Sequence, residues 1–270
     1  MNDIYESKIS KIREIVDGNK VFFVIDDTTD PMNRYVFNCL VGIFDGKPIK
    51  PMLLSTQFLE KIDNSTIFQA ILTAAQKLWP NGIKYDDLWL IVTDQATGMI
   101  KGIANAKGVF RNLHHVTCLA HSLHRVSEFI RSKFLKTDKF ISTMKKVLRK
   151  SPMRRQNFKE VTKINLPPNP VVTRWGSWLS TSFYYVQNYD SICNFIKQLK
   201  SQNNKSIKKA KELIRNNDVK NELVEINSFN FLPDKIKELE SASLTVTQQL
   251  GIIENVKQNL FGEYLNKLNN

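Results

Sequence analysis

The 270-residue sequence predicts an α/β protein: a mixed five-stranded sheet with flanking helices, followed by a mostly helical region. Three observations predict it. The first half carries short apolar runs rich in β-branched and aromatic residues, separated by turn signals. Between those runs, apolar residues recur at helical spacing. In the second half the runs disappear, and 140–160 and 190–265 read as helix.

Residues 1–19 form an N-terminal helix or extension. Segment 21–26 (VFFVID) is a short apolar run ending in acids, the mark of a buried strand. After the break DTTDPMN, residues 34–44 (RYVFNCLVGIF) suit a second strand. Asp45-Gly46 is a hairpin signal. Residues 49–56 resume an extended pattern, with Pro51 tolerable only at an edge or bulge. The three strands read as an antiparallel meander. Asn64 or Ser65 can cap a helix that carries Ile67, Ile71, Ala74, Ala75 and Leu78 on one face. Pro80-Asn81-Gly82 stops it. Residues 88–93 (LWLIVT) give a fourth strand ending at Asp94, a helix runs from about Thr97 to Arg111, and His115–Cys118 is a short fifth strand. A helix with Leu119, Leu123, Val126 and Ile130 on one face follows. Three hairpin-linked strands followed by alternating helices and strands is the layout of the ribonuclease-H-like fold. The expected domains are a core over 20–180 and a helical region over 181–270. Segment 166–178 (LPPNPVVTRWGSW) reads as an extended connector, and 201–211 as a polar, flexible stretch.

Composition narrows the function classes. With 42% hydrophobic and 24% charged residues the chain is ordinary for a globular protein. No apolar run reaches the roughly 18–20 residues of a membrane span. The N-terminus has no apolar segment of the secretory kind, and Cys39, Cys118 and Cys193 are odd in number and far apart, so a reducing compartment is expected. The net charge of +13 is unevenly placed. Residues 1–130 hold 14 Lys/Arg and 14 Asp/Glu, whereas 131–270 hold 25 and 12. Within 131–163, 12 basic residues face two acids, Asp138 and Glu160. A segment this one-sided suits a polyanion, against the plainer reading of a solvated basic surface.

Two acids carry the candidate chemistry. Asp26 and Asp94 end predicted strands, and carboxylates there sit at the mouth of an α/β sheet, where ligands bind. If the two strands are neighbours, the carboxylates repel, and a hard divalent cation with oxygen ligands relieves the repulsion. The plainer reading is that each Asp caps a turn. All four histidines, His114, His115, His121 and His124, fall close to Cys118. A zinc site built on Cys118-x-x-His121 is conceivable, but it lacks the second ligand pair of a structural site.

In order, Asp26-Asp27-Thr28-Thr29-Asp30, Val92-Thr93-Asp94-Gln95-Ala96, Cys118-Leu119-Ala120-His121 and Arg174-Trp175 resemble the catalytic domain of hAT-family transposases, including their domesticated relatives. The resemblance spans about residues 20–180. It implies a ribonuclease-H-like core interrupted by a helical insertion, and DNA strand cleavage and transfer dependent on Mg²⁺ or Mn²⁺. Asp26 and Asp94 would be the catalytic, metal-holding carboxylates. Cys118 and His121 would organise the site, and Arg174 and Trp175 would handle DNA ends. Where relatives often have Glu after the first acid, this chain has Asp27. The family's third carboxylate, a Glu beyond the insertion, has no match among Glu222, Glu225, Glu238, Glu240, Glu254 and Glu263, and no zinc-finger region precedes residue 20. The chain therefore reads as a fragment, degenerate copy or domesticated remnant with little or no catalysis of its own.

The basic cluster Lys145, Lys146, Arg149, Lys150, Arg154 and Arg155 is the expected DNA-phosphate contact, with 145, 149 and 152/153 along one helical stripe. It equally fits a nuclear-localisation element, and both readings point to the nucleus. Trp175 is placed as a base-stacking residue and Trp178 as an anchor for the connector. DNA is the expected partner, with no membrane and no small-molecule substrate, and self-association would run through regions outside this chain. A non-enzymatic DNA-binding or protein-interaction module is the alternative. A third reading is a ribonuclease-H-like nuclease completed by a Glu from 222–263. Apolar residues such as Leu244, Leu250, Ile253 and Leu260 are expected to be partly uncovered.

Overall fold

A computed structural model describes residues 2–46, 50–149, 151–171, 176–201, 204–241 and 244–269. The chain divides into two compact units, Met1–Ser122 with Ala242–Thr245, and Leu123–Ser241 with Val246–Asn270. Among the described residues no helix is long and apolar enough to cross a membrane.

The first unit is built on a five-stranded mixed sheet. Helix α1 (Asn2–Val16) precedes strands β1 (Val21–Thr29), β2 (Tyr35–Ile43) and β3 (Met52–Leu59). Then come α2 (Asn64–Leu78), β4 (Leu88–Thr93), α3 (Thr97–Lys107) and β5 (His114–Thr117). The strand order is β3-β2-β1-β4-β5. The meander pairs β1 with β2 and β2 with β3 antiparallel, while β1–β4 and β4–β5 are parallel. The period of two in β1 is what makes it a strand. Val21, Phe23 and Ile25 are buried on one side, and Phe22 and Val24 alternate with them.

That buried side meets α1, α2 and α3. Ile9, Ile12 and Val16 of α1, Ile67, Ile71 and Ala74 of α2, and Met99, Ile103 and Ala106 of α3 close one core over the sheet. Each large side chain so buried contributes roughly 1.5–3 kcal/mol. Gly18, at φ +71, turns the chain out of α1 in the left-handed conformation that glycine tolerates best.

Several boundaries differ from the sequence reading. Strand β1 runs three residues past Asp26, because β2 continues the ladder through Asp26↔Asn38 to Thr29↔Tyr35. The cap of α2 is Asp63 rather than Asn64 or Ser65. Its carboxylate accepts from the backbone N–H of Ser65 (3.0 Å) and Thr66 (2.9 Å), and the Thr66 hydroxyl accepts from the Asp63 N–H (3.1 Å). A charged acceptor in this reciprocal box satisfies the free N–H groups and suits the positive helix end. Strand β3 starts after Pro51, and residues 47–49 lie outside the described residues.

The second unit is helical. Helix α4 (Leu119–Lys133) begins in the first unit and continues into it. It goes on through α5 (Leu135–Arg149), α6 (Pro152–Thr162), α7 (Gly176–Gln198), α8 (Lys205–Leu213), α9 (Asp218–Ile226), α10 (Leu232–Leu239), α11 (Val246–Asn259) and α12 (Gly262–Asn269). The expected helix over 140–160 is two helices. Ser151 starts α6 by accepting from the Arg154 N–H (3.3 Å), and Pro152 follows where a missing N–H costs nothing. The polar stretch 201–211 is largely helix α8, capped by Asn204 and held by buried Ile207 and Ala210. Trp178 belongs to the first turn of α7 rather than to a connector. Of the apolar residues expected to be uncovered, Leu250 is exposed, but Ile253 and Leu260 are buried.

Candidate functional site

The site is a polar row across the sheet, at the level where β4 and β5 end. In the β1–β2 register Asp26 pairs with Asn38, and in the β2–β3 register Asn38 pairs with Thr56. The Thr56 hydroxyl donates to the Asn38 side-chain oxygen (2.9 Å). On the other side β1 and β4 are parallel, with Val24 beside Val92. Two residues further along β1, alternation returns Asp26 to the face of Val24, and Asp94 is the first residue after β4 ends at Thr93, near enough for its charge to raise the Asp26 pKa. Strand β5 extends the row. Thr93 pairs with Thr117, and the Cys118 N–H donates to the Thr93 carbonyl (2.7 Å), which sets Cys118 beside Asp94.

The turn after β4 holds Asp94. Its carboxylate accepts from the Ala96 N–H (3.0 Å) at the start of α3. The Thr93 hydroxyl donates to the Asp94 carbonyl (2.7 Å) and lies 2.9 Å from His115 Nε2. Partial burial, and then Lys107, lower the His115 pKa and keep the ring neutral. Gln95 reaches the Thr117 and Ser122 hydroxyls, both at 3.4 Å.

Burial first, and neighbouring charge only after it, sets the behaviour of Asp26 and Asp27. Asp26 is exposed as a residue, yet lost hydration around its carboxyl is the largest influence raising its pKa. His121 lowers that pKa and Asp94 raises it further. The Asp27 pKa is raised by burial first, then by the charges of Asp94 and Asp26. Asp27, read from sequence as a departure from a family pattern, is thus electrostatically part of the same cluster.

Cys118 and His121 form a pair at the start of α4. Cys118 is the residue before the helix, and its carbonyl accepts from the Ser122 N–H (3.1 Å). Burial alone would raise the thiol pKa. Hydrogen bonds from the His121 side chain and backbone, the His121 charge and the Ala120 N–H outweigh it, and the thiol pKa falls. The His121 pKa rises, mainly through its bond to Cys118 and then through the charges of Cys118, Asp26 and Asp94. Cys39 and Cys193 are raised by burial. Iodoacetamide at pH 7 should therefore alkylate Cys118 first, and His121→Ala should slow that reaction several-fold by removing the thiolate's partner. Peptide mass spectrometry over time reads both. Cys118 reacting no faster than the two buried thiols would contradict the pairing.

The remaining histidines do not converge on a metal. His115 is bound to Thr93, and His124 in the helical unit faces Glu240 (3.1 Å) and accepts from the Gly176 N–H (3.4 Å). Among the described residues no group of three or more His, Cys, Asp or Glu is arranged to hold a metal ion. The glutamates 222–263 have local roles in the helical unit. Glu222 accepts from the N–H of Lys136 (3.3 Å) and Thr137 (2.7 Å), while Glu238, Glu254 and Glu263 pair with Lys235, Lys257 and Lys133.

The basic residues separate. Lys145, Lys146 and Arg149 are exposed on α5 and Arg155 on α6. The 145–149–152/153 stripe is broken, because the helix ends at Arg149 and restarts at Pro152. The Arg154 guanidinium is turned inward to the Val147 carbonyl (2.7 Å), closing the end of α5 rather than facing outward. Lys145, Arg149 and Arg155 line one cavity. Lys150, Arg174 and Trp175 lie outside the described residues. No protein-family model matches the chain, and no curated protein matches it in sequence.

Proposed function

We propose that the first unit is a ribonuclease-H-like domain of the hAT-transposase type, that the chain handles DNA in the nucleus, and that Asp26 and Asp94 are its metal-holding carboxylates. One observation carries the reading. Asp26 within β1 and Asp94, the residue after β4, lie on adjacent parallel strands, near enough for the Asp94 charge to raise the Asp26 pKa, with Cys118 and His121 beside them. The strand order, with β2 antiparallel beside two parallel neighbours, also supports it. The donors fit a hard cation. Their crowding and mutual repulsion favour Mg²⁺ or Mn²⁺, and Mg²⁺ commonly binds one or two carboxylates and fills its other positions with water and phosphate oxygens. When bound, such an ion supplies charge stabilisation and an activated water for phosphodiester displacement. The chain's own residues position that chemistry. Ala96 N–H and the Thr93–His115 link hold Asp94, and the pKa of His121 is raised by its bond to Cys118 and then by the charges of Cys118, Asp26 and Asp94.

Isothermal titration with Mn²⁺ tests the reading. The wild type should bind, and Asp26→Asn and Asp94→Asn should each weaken binding tenfold or more, about 1.4 kcal/mol. A raised carboxyl pKa means that protons compete at higher pH than for an ordinary aspartate. Binding should therefore begin to fail, as pH falls, above the pH at which a surface aspartate protonates. No binding in the wild type would overturn the metal site. The absence of a third ligand among the described residues favours a second reading, a DNA-binding module that reuses the scaffold without cutting. That module would keep DNA binding in both Asn variants.

A further inference from the structure

We propose that the cavity between α5, α6 and residues 166–170 of the helical unit holds one unstacked nucleotide of a single DNA strand. The cavity measures about 330 Å³. Lys145, Arg149 and Arg155 supply its charge, Leu148, Leu166 and Pro168 much of its apolar wall, and no carboxylate lines it. Among the described residues none of the three cations is paired with a carboxylate. The local charge is therefore unneutralised, and an anion entering releases counterions rather than displacing a protein partner. The apolar wall argues that the anion carries a flat hydrophobic group. Bare phosphate gains nothing from proline and leucine, whereas a base does, and Asn169 offers both a donor and an acceptor to a base edge. A duplex keeps its bases stacked inside, so only a single-stranded or extruded nucleotide can present base and phosphate to one concave site. Lys146, one residue along and equally exposed, does not line the cavity and separates site from general charge.

The ligand's identity rests on the DNA-handling reading, but the site does not depend on Asp26 or Asp94. The test is fluorescence anisotropy of the full chain with a short labelled single-stranded oligonucleotide at fixed ionic strength. Lys145→Gln, Arg149→Gln and Arg155→Gln should each weaken binding about fivefold or more, and Lys146→Gln less than about twofold. A nucleoside monophosphate should compete better than inorganic phosphate, and the single strand should bind more tightly than its duplex. Leu166→Trp, which fills the cavity and keeps every cation, should also weaken binding, with circular dichroism confirming the fold. Equal losses at Lys145 and Lys146, equal competition by inorganic phosphate, or preference for the duplex would each overturn the site. Loss of Mn²⁺ binding with this pattern intact would remove the metal reading alone, and the converse would remove the cavity alone.

Discussion

Replacing Trp178 by alanine is expected to destabilise the helical unit by about 3–5 kcal/mol, a large share of the stability of any domain. The side chain is almost completely buried in the first turn of α7. Its indole N–H donates to the Asp138 carboxylate at 2.9 Å, which also accepts from Arg131 Nε at 2.8 Å, and the Arg131 guanidinium lies 5.9 Å from the indole ring. One residue therefore ties α7 to α5 and α4 through a shared acid. Truncation leaves a cavity of indole size and takes one donor from a half-buried carboxylate, so transfer and hydrogen-bond terms act in the same direction. Trp178→Phe separates them. It keeps much of the apolar volume and loses the N–H, and should cost roughly 1–2 kcal/mol. Urea unfolding followed by circular dichroism ranks the variants. A loss under about 1 kcal/mol for the alanine variant would mean that the Trp178–Asp138–Arg131 link is not a fastening point of the unit.

Reading Trp178 as an anchor needed only its size and its company of polar and proline residues. Placing it on a helix needed the structure, because Gly176 and Ser177 give a weak start signal after so many prolines. The same division runs through the molecule. The strands of the meander are legible because their apolar period is local, but the link from β2 to β3 is residues 44–51, of which 47–49 lie outside the described residues, rather than a two-residue turn at Asp45-Gly46. Asp94 is legible as a strand-end acid for the same reason, whereas Asp26, read as ending the first strand, lies inside it, because β2 carries the ladder on to Thr29. Asn38 and Thr56 are not legible, because a polar residue inside a strand looks like a solvated position until the register sets it beside Asp26. The inward turn of Arg154 is invisible in a run of basic residues, although Ser151-Pro152, a cap followed by a residue that opens helices, does mark the break. Helix α8 was hidden because only Ile207 and Ala210 face inward, too few apolar positions to show a helical period against so many lysines.

Gly102→Val should cost the first unit about 2–3 kcal/mol net, and the sign follows from two opposed effects. Valine is the better helix former by a few tenths of a kcal/mol, which favours the variant. Against this, a Cβ at position 102 would stand 2.6 Å from Ile67 Cγ2, 2.8 Å from Ile67 Cβ and 3.2 Å from the Asn64 carbonyl oxygen. These are contacts with a fully buried side chain and with the backbone of α2, so neither can swing aside. Helices α2 and α3 must then move apart within a packed core, and forced expansion of this kind costs ~1–3 kcal/mol or more. The steric effect wins. Ile67→Ala in the Gly102→Val background should recover part of the loss, giving a favourable coupling that two independent sites would lack. The consequence reaches the candidate site. Helix α3 starts where the Asp94 carboxylate holds the Ala96 N–H, so displacing the helix displaces Asp94 relative to β1. Mn²⁺ affinity should fall in Gly102→Val at temperatures where the protein is still folded, and return in the double variant. Stability lost without any change in Mn²⁺ affinity would mean that the turn after β4 holds Asp94 independently of the helix behind it.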